Sequence, residues 1–180
     1  LTEDDLRRRY KVILANPPFA GQLPKDSIRA DLPTNSKKSE LLFMSLMMQH
    51  LAPGGRCAVV VPEGLLFGST GAHKELRLQL IENNRVEAVL SLPGGVFQPY
   101  SGVKTSVLFF RTGGSTDKVL FLHADNDGYK VDANHDTPIN ADDLPGLVAV
   151  YREKEANFAT WQARDPAAEW PAQWWFADAA

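Results

Sequence analysis

Short apolar runs alternate with amphipathic helical patterns between residues 12 and 110, and this alternation limits the possible folds more than any other feature of the chain. The runs VILA and CAVVV are continuously apolar, as in parallel strands that are covered on both faces. Strands separated by helices predict an α/β fold with a mainly parallel sheet. The predicted strands are 12–15, 57–61, 86–92 and 105–110, and the predicted helices are 39–51 and 73–84.

The last third of the chain has a different pattern. Residues 105–110 follow the preceding strand without a helix between them, which allows this strand to run antiparallel. The sequence KVLFLHADNDGYKV predicts a β-hairpin at residues 118–131, because the turn DNDG separates two apolar runs. A helix near 142–159 and a Trp-rich tail follow, and we expect this tail to pack on its own domain. The composition divides the chain into a domain at 1–115 and an appended segment at 116–180.

Composition argues against several classes of protein. At 180 residues the chain has the size of one domain and can bury a core without disulfides. The only cysteine, Cys57, lies in an apolar run, which favours a buried small side chain over a nucleophile, and the spacing of the four histidines predicts no metal site. No apolar run reaches the roughly 18 residues of a membrane span, and LTEDDLRRRY is too polar for a signal peptide.

Charge is distributed unevenly along the chain. The net charge of −3 argues against bulk electrostatic binding of nucleic acid. Residues 1–115 hold 14 Lys and Arg against 10 Asp and Glu, whereas residues 116–180 hold 5 against 12. An anionic partner would therefore bind the first part of the chain. The alternative interpretation is that the acidic remainder is only a solvated tail.

Asn16-Pro17-Pro18-Phe19 is the strongest functional signal, because it directly follows the strand VILA. In open α/β sheets, ligands bind beyond the carboxyl ends of the strands. Asn16 offers an amide oxygen as acceptor, the prolines lack N–H groups and leave carbonyls free to face a ligand, and Phe19 offers a flat surface for stacking. The exocyclic amino group of a flipped base needs this combination. The structural alternative is a diproline turn that only ends the strand.

A Gly- and Pro-rich loop at residues 93–104 follows the strand at 86–92. Phe97, Tyr100 and Lys104 in this loop are candidates for contact with a target base or a phosphate, provided that the loop opens on the same sheet edge as the NPPF motif. The alternative is an ordinary surface loop, in which Lys104 only precedes the next strand.

The NPPF motif and the chain after it resemble N6-adenine DNA methyltransferases, and in particular the modification (methylation) subunit of type I restriction-modification systems. The resemblance rests on VILANPPF, SELLFMSLMMQHLAPGGRCAVVVPEGLLF, LPGGVF, GVKTSVLFF and KVLFLHADNDGYKVDANHDTPI, and it covers about residues 10–150. NPPF alone marks amino-group methyltransferases in general, whereas the run from APGGR to GVKTSVLFF is much more specific.

This resemblance implies the carboxyl-terminal half of a Rossmann-like, S-adenosylmethionine-dependent methyltransferase sheet whose last strand is antiparallel. It implies that Asn16, Pro17, Pro18 and Phe19 form the catalytic tetrapeptide. Asn16 and a carbonyl near Pro17 would accept hydrogen bonds from the adenine amino group, and Phe19 would stack on the base. The family binds the methyl donor mainly at a Gly-rich turn in the preceding half. The chain begins with Leu1 and would start at the fourth strand, so we expect a fragment with an incomplete S-adenosylmethionine site that is inactive alone.

The resemblance also implies double-stranded DNA as the substrate, the specificity and restriction subunits of the same system as partners, no membrane partner, and a cytoplasmic location in bacteria or archaea. Two other functions stay open at this point. Glutamine side-chain methyltransferases carry a similar motif that usually ends in Tyr, and a non-catalytic fragment could dock another subunit through its tail. Phe19 and the run from LPGGVF to GVKTSVLFF favour DNA as the substrate.

Overall fold

A computed structural model describes residues 7–19, 21–28, 31–32 and 36–179. The polar, Pro-containing stretch at residues 20–38 predicts a long loop, and parts of this stretch and of the polar amino terminus lie outside the described residues. The chain divides into two compact units, with residues 1–86 and 108–116 in unit one and residues 87–107 and 117–180 in unit two.

Strands and helices alternate through the first 112 residues, as the sequence predicts. The described strands are β1 (Tyr10–Ala15), β2 (Leu51–Pro62), β3 (Asn84–Ser91), β4 (Thr105–Thr112), β5 (Lys118–His123), β6 (Asp127–Tyr129), β7 (Pro138–Asp142) and β8 (Trp174–Asp178). The described α-helices are α1 (Ser39–His50), α2 (Glu63–Phe67), α3 (Gly71–Asn83), α4 (Leu144–Arg152) and α5 (Lys154–Ala163), and a short 3-10 helix spans Lys25–Ser27.

The sheet of unit one begins with β1, which pairs in parallel with β2 and places Ala15 opposite Val59. The second half of β4 follows β2 in the strand order. Thr112, at the end of β4, donates from Oγ1 to the carbonyl of Gly55, near the start of β2, at 3.2 Å. A contact between the end of one strand and the start of the other means that β2 and β4 run in opposite directions.

Thr116 ties the start of β3 to the chain just after β4. Its Oγ1 donates to the Asn84 carbonyl at 2.8 Å and accepts from the Val86 N–H at 2.9 Å. Because the start of β3 lies beside the chain that leaves β4, these two strands are antiparallel as well. The α/β fold with an antiparallel last strand is confirmed.

The core of unit one lies between α1 and β2. Met44, Met47 and Met48 recur at helical spacing, which predicts core packing, and Met44 and Met47 are buried. Cys57 on β2 is buried too, and its burial raises the pKa of the thiol to about 12. The thiol therefore stays protonated at neutral pH, which confirms that Cys57 is a small buried side chain and not a nucleophile.

Strand β1 is more exposed than its sequence suggests. The run VILA predicts a strand that is covered on both faces, but Val12 is 48% exposed and Leu14 is 78% exposed. The expectation of burial was wrong for these side chains because β1 stands first in the strand order, with β2 beside it and no described strand on its other edge.

Unit two contains β5 between two partners. Strand β5 pairs in parallel with β3 and antiparallel with β8. The N–H of Leu92, just after β3, donates to the carbonyl of Thr105, at the start of β4, at 3.1 Å. This contact between the end of β3 and the start of β4 again shows that the two strands are antiparallel.

The hairpin expected at residues 118–131 was wrong in its pairing. A hairpin is present, but it joins β6 to β7, with Asp127 opposite Asp142. Strand β5 pairs with β3 instead, because an apolar run gains more by burial inside a sheet than by pairing across a local turn.

The Trp-rich tail packs on unit two, as expected. Phe176 of β8 is buried opposite Leu120 of β5. The ring of Phe176 meets Phe158 edge to face at a centroid distance of 5.1 Å, and Trp161 and Trp174 lie beside it. None of the described helices is long and apolar enough to cross a membrane.

Candidate active site

The NPPF motif lies where β1 ends. Asn16 directly follows Ala15, the last residue of the strand, and it is exposed. Pro17 and Phe19 are half-buried, and Pro18 is exposed. The structure therefore places the motif at the carboxyl end of a parallel strand, as the sequence predicts. Asn16 carries an amide oxygen that can accept hydrogen bonds, and it is the residue at the strand end that is exposed to solvent.

The chain after the motif returns alongside the residues that lead into α1. The N–H of Ser39 donates to the Gly21 carbonyl at 3.0 Å, and the N–H of Leu23 donates to the Lys37 carbonyl at 2.9 Å. An isolated antiparallel bridge joins Gln22 and Lys38 between them. This short ladder fixes the position of the motif relative to α1.

A second loop of unit one follows β2, the strand parallel to β1. The sequence predicts a loop at PEGLLFGSTG, whereas the structure forms the short helix α2 at its start. Arg77 of α3 holds this segment through two hydrogen bonds, from Nη1 to the Leu65 carbonyl at 3.0 Å and from Nη2 to the Gly68 carbonyl at 2.9 Å. Phe67 is 73% exposed on the segment held in this way. The apolar triplet LLF within a Gly- and Pro-rich stretch is the only sequence signal for it.

His73 lies behind this loop and is buried. Burial is the main reason that its pKa lies below the ordinary value of 6.5, and the positive charges of Lys38 and Arg77 lower the pKa further, against an opposing effect of Glu40. The imidazole is therefore neutral at pH 7. It serves this loop as a packing and hydrogen-bonding group, with its Nδ1 2.6 Å from Thr70 Oγ1.

The second predicted loop, residues 93–104, belongs to unit two. Tyr100 is 94% exposed, Phe97 is half-buried, and Lys104 is exposed directly before β4 begins at Thr105. Two backbone hydrogen bonds shape the turn, from Gln98 N–H to the Gly95 carbonyl at 3.0 Å and from Ser101 N–H to the Phe97 carbonyl at 2.9 Å.

The predicted site residues thus fall into two groups. Asn16, Pro17, Pro18 and Phe19 are contiguous in unit one, and Phe97, Tyr100 and Lys104 share one loop of unit two. The roles of all seven stay predictions. Sequence reasoning missed Ser39, whose contact is 21 residues away along the chain, and Arg77, whose contacts lie 9 and 12 residues away on a predicted loop. Among the described residues, no group of three or more His, Cys, Asp or Glu side chains is arranged to hold a metal ion.

A comparison with protein-family models matches residues 1–169 to the N-6 DNA methylase model. The chain belongs to the N-6 DNA methylase family. The match includes both the NPPF motif and the loop at 93–104.

Relatives of this N-6 DNA methylase chain include methylase subunits of type I restriction enzymes. The EcoEI methylase subunit of Escherichia coli is 41% identical over 122 residues, which cover 66% of this chain and 24% of the relative. The EcoKI methylase subunit of Escherichia coli strain K12 is 38% identical over 102 residues, which cover 57% of this chain and 19% of the relative. The chain therefore spans about a quarter or less of the length of these two relatives.

Solved structures show the same architecture. A chain from a structure on the complex assembly and conformational transition of the type I R-M system superposes with a TM-score of 0.78 at 32% identity, covering 97% of this N-6 DNA methylase chain and 36% of that chain. The crystal structure of the EcoKI M protein superposes with a TM-score of 0.60 at 31% identity, covering 68% of this chain and 26% of that one.

Proposed function

We propose that this N-6 DNA methylase chain forms the target-base half of an adenine-N6 DNA methyltransferase of a type I restriction-modification system. The observation that carries the proposal is the NPPF motif at the carboxyl end of β1, with the Asn16 amide exposed, in a chain of this family. In this proposal the substrate is double-stranded DNA, the partners are the specificity and restriction subunits, and the location is the bacterial cytoplasm.

The target amino group would be held by Asn16 and Pro17. The lone pair of an adenine amino group is delocalised into the ring, so the group is a weak nucleophile. The Asn16 side-chain oxygen and the Pro17 carbonyl accept hydrogen bonds from its two N–H bonds, which stabilises the positive charge that develops on nitrogen during attack. Phe19 stacks on the base after it has left the duplex. Asn is no general base, so the contribution of these residues is alignment and charge stabilisation.

S-adenosylmethionine supplies the methyl group when it is bound. The methyl group of the cofactor would have to lie beside the NPPF motif at the carboxyl end of β1, because the methyl carbon and the attacking amino nitrogen must approach to about 3–3.5 Å. Gly68, in the turn after β2, is explained by packing and not by a cofactor. A Cβ there would clash with the Gly64 carbonyl and lie 2.8 Å from the His73 ring. We propose that most contacts to the cofactor come from outside this chain.

The relatives named above favour DNA as the acceptor over a protein glutamine. A direct test uses the full-length methylase subunit assembled with its specificity subunit, on duplex DNA whose recognition site has been mapped by sequencing of N6-methyladenine. Asn16→Ala removes one acceptor, and we expect a loss of about 10²–10³ in the rate of methyl transfer. Asn83→Ala, at the exposed end of α3, is the matched control and keeps the wild-type rate.

Two outcomes would overturn the proposal. One is near wild-type methylation of DNA by a folded Asn16→Ala variant. The other is methylation of a glutamine-containing peptide, but not of DNA, by the wild-type assembly. Binding of the methylase subunit to the specificity subunit, with no transferase activity in the resulting assembly, would favour the docking role instead.

A further inference from the structure

Ser39 is the first residue of α1, and its side chain reaches the NPPF motif. Its Oγ donates a hydrogen bond to the Pro18 carbonyl at 3.4 Å. The residue is 4% exposed, so water does not compete freely for this contact. The distance is long for an O–H···O bond, as is common for active-site hydrogen bonds before the substrate is bound.

The surroundings of Ser39 hold its hydroxyl in place. Its own N–H donates to the Gly21 carbonyl at 3.0 Å. A Cβ on Gly21 would lie 3.3 Å from Ser39 Oγ, so Gly21 leaves room for the hydroxyl where a side chain would press on it. The helix behind it is anchored in the core by Leu41 and Met44, which are both buried. The hydroxyl is thus attached to a rigid element on one side and to the motif on the other.

A hydrogen bond at Pro18 also restrains the preceding carbonyl. The pyrrolidine ring fixes the φ angle of Pro18 near about −65°. Because the peptide bond is planar, the ψ angle of Pro18 is the one soft torsion between its carbonyl and the carbonyl of Pro17. Fixing the direction of the Pro18 carbonyl therefore restricts the direction of the Pro17 carbonyl.

We propose that Ser39 is a positioning residue for methyl transfer, which aims the Pro17 carbonyl at the target amino group through its hydrogen bond to Pro18. This inference rests on the proposed function. Ser39 does not touch the reacting atoms, so its effect is on the rate of the aligned complex and not on the binding of either substrate.

The chain offers a matched control in the same helix. Ser45 is fully buried on α1, and its Oγ has no hydrogen-bond partner among the described residues. Ser39→Ala and Ser45→Ala therefore both remove a buried hydroxyl from α1, and only the first removes a contact with the motif. Ser39→Thr keeps the hydroxyl. Gly21→Ala keeps the hydroxyl too, but its added Cβ lies 3.3 Å from Ser39 Oγ and disturbs the position of the hydroxyl.

The experiment measures the single-turnover rate constant and the KM values for DNA and S-adenosylmethionine in the full-length methylase assembled with its specificity subunit. Loss of one hydrogen bond of about 0.5–1.5 kcal/mol corresponds to a decrease of about two- to twelvefold. We expect a decrease in this range for Ser39→Ala, with KM values within about twofold of wild type because the hydroxyl binds neither substrate. Ser45→Ala keeps the wild-type rate, Ser39→Thr recovers most of it, and Gly21→Ala lowers it.

Equal rates for the Ser39→Ala and Ser45→Ala variants would overturn the inference, as would a Ser39→Ala effect confined to KM. If Ser39→Ala does not fold, a wild-type rate in the Gly21→Ala variant overturns it instead. Asn16→Ala separates this inference from the proposed function. Retained activity in Asn16→Ala refutes the proposed function, whereas loss in Asn16→Ala together with a wild-type rate in Ser39→Ala refutes only the role of Ser39.

Discussion

Thr70 Oγ1 lies 2.6 Å from His73 Nδ1, so the loop after β2 is tied to the first turn of α3 by a buried imidazole. Because the pKa of His73 lies below 6.5 in the folded chain, mainly through burial, the unfolded chain takes up its proton at a higher pH than the folded chain does. This histidine therefore contributes stability at neutral pH that is lost as the pH falls below about 6.5 toward the folded pKa.

We expect the free energy of unfolding to decrease between pH 7 and pH 5, and His73→Gln to flatten this dependence. Chemical denaturation across this pH range measures the effect in the wild type and in His73→Gln. Asp143 titrates in a lower range, since the N–H groups of Asn126 and Asp125 hold the pKa of its carboxyl below 3.8. The same slope in wild type and His73→Gln would show that the histidine does not carry this dependence.

Phe19 is expected to act as the stacking surface for the target base. Stacking on an aromatic ring contributes about 1–3 kcal/mol per base, so Phe19→Ala should weaken capture of the flipped adenine, whereas Phe19→Tyr retains most of it. The measurement is the fluorescence of 2-aminopurine at the target position, titrated with the assembled full-length enzyme. The ring of Phe19 is half-buried. Identical titrations for wild type and Phe19→Ala would therefore assign this ring to packing alone.

The tail of unit two provides a test of packing. Phe176 and Trp175 are neighbours on β8, but Phe176 is buried among Phe158 and Trp161, whereas Trp175 is an exposed residue stacked on Phe121 at 5.5 Å. Truncating a buried Phe costs about 3–5 kcal/mol, so Phe176→Ala should lower the free energy of unfolding by this amount. Trp175→Ala should cost clearly less, with about 0.5–1.5 kcal/mol from the ring pair. Urea denaturation distinguishes the two, and equal losses would contradict the assignment of Phe176 to the core.

Local patterns in the sequence predict where the helices and strands of this fold lie better than they predict which strands pair. The helix at 39–51 and the strand at 86–92 agree with α1 and β3 to within two residues, because apolar spacing and chain breakers are local signals. The pairing of β5 with β3 and β8 was missed, since Leu120 is buried by side chains more than 50 residues away in the tail. Local turn chemistry at DNDG pointed to a nearer partner.

The candidate site shows the same division. The position of Asn16 at a strand end follows from VILA and two prolines, all of which are adjacent in sequence. The support of the motif by Ser39 depends on a loop of some twenty residues folding back onto α1, and no local pattern encodes that return. Contacts between distant segments are thus what sequence reasoning could not supply.

The edge of β1 is the basis of a prediction for the 180-residue chain on its own. Leu14 is the most exposed apolar side chain of this strand, and a cleft of about 440 Å³ beside it is lined by residues of β1 and α1, including Val12, Leu46 and Met47. An unpaired edge with apolar side chains associates readily with another edge. We therefore expect the chain to self-associate along β1, and Leu14→Lys to shift it toward the monomer in sedimentation velocity. Leu78→Lys, at an exposed leucine of α3, is the control that leaves the association unchanged.

The same chain should neither bind S-adenosylmethionine appreciably nor methylate DNA. The reason is the expected absence of the Gly-rich turn to which the family resemblance assigns most contacts with the cofactor. Titration calorimetry of the purified chain with S-adenosylmethionine tests this directly, and Leu14→Lys repeats the test on a chain whose β1 edge is free of self-association. Stoichiometric binding in the micromolar range by either chain would mean that this chain contains a complete cofactor site. The placement of β1 as the fourth strand of the methyltransferase sheet would then be wrong.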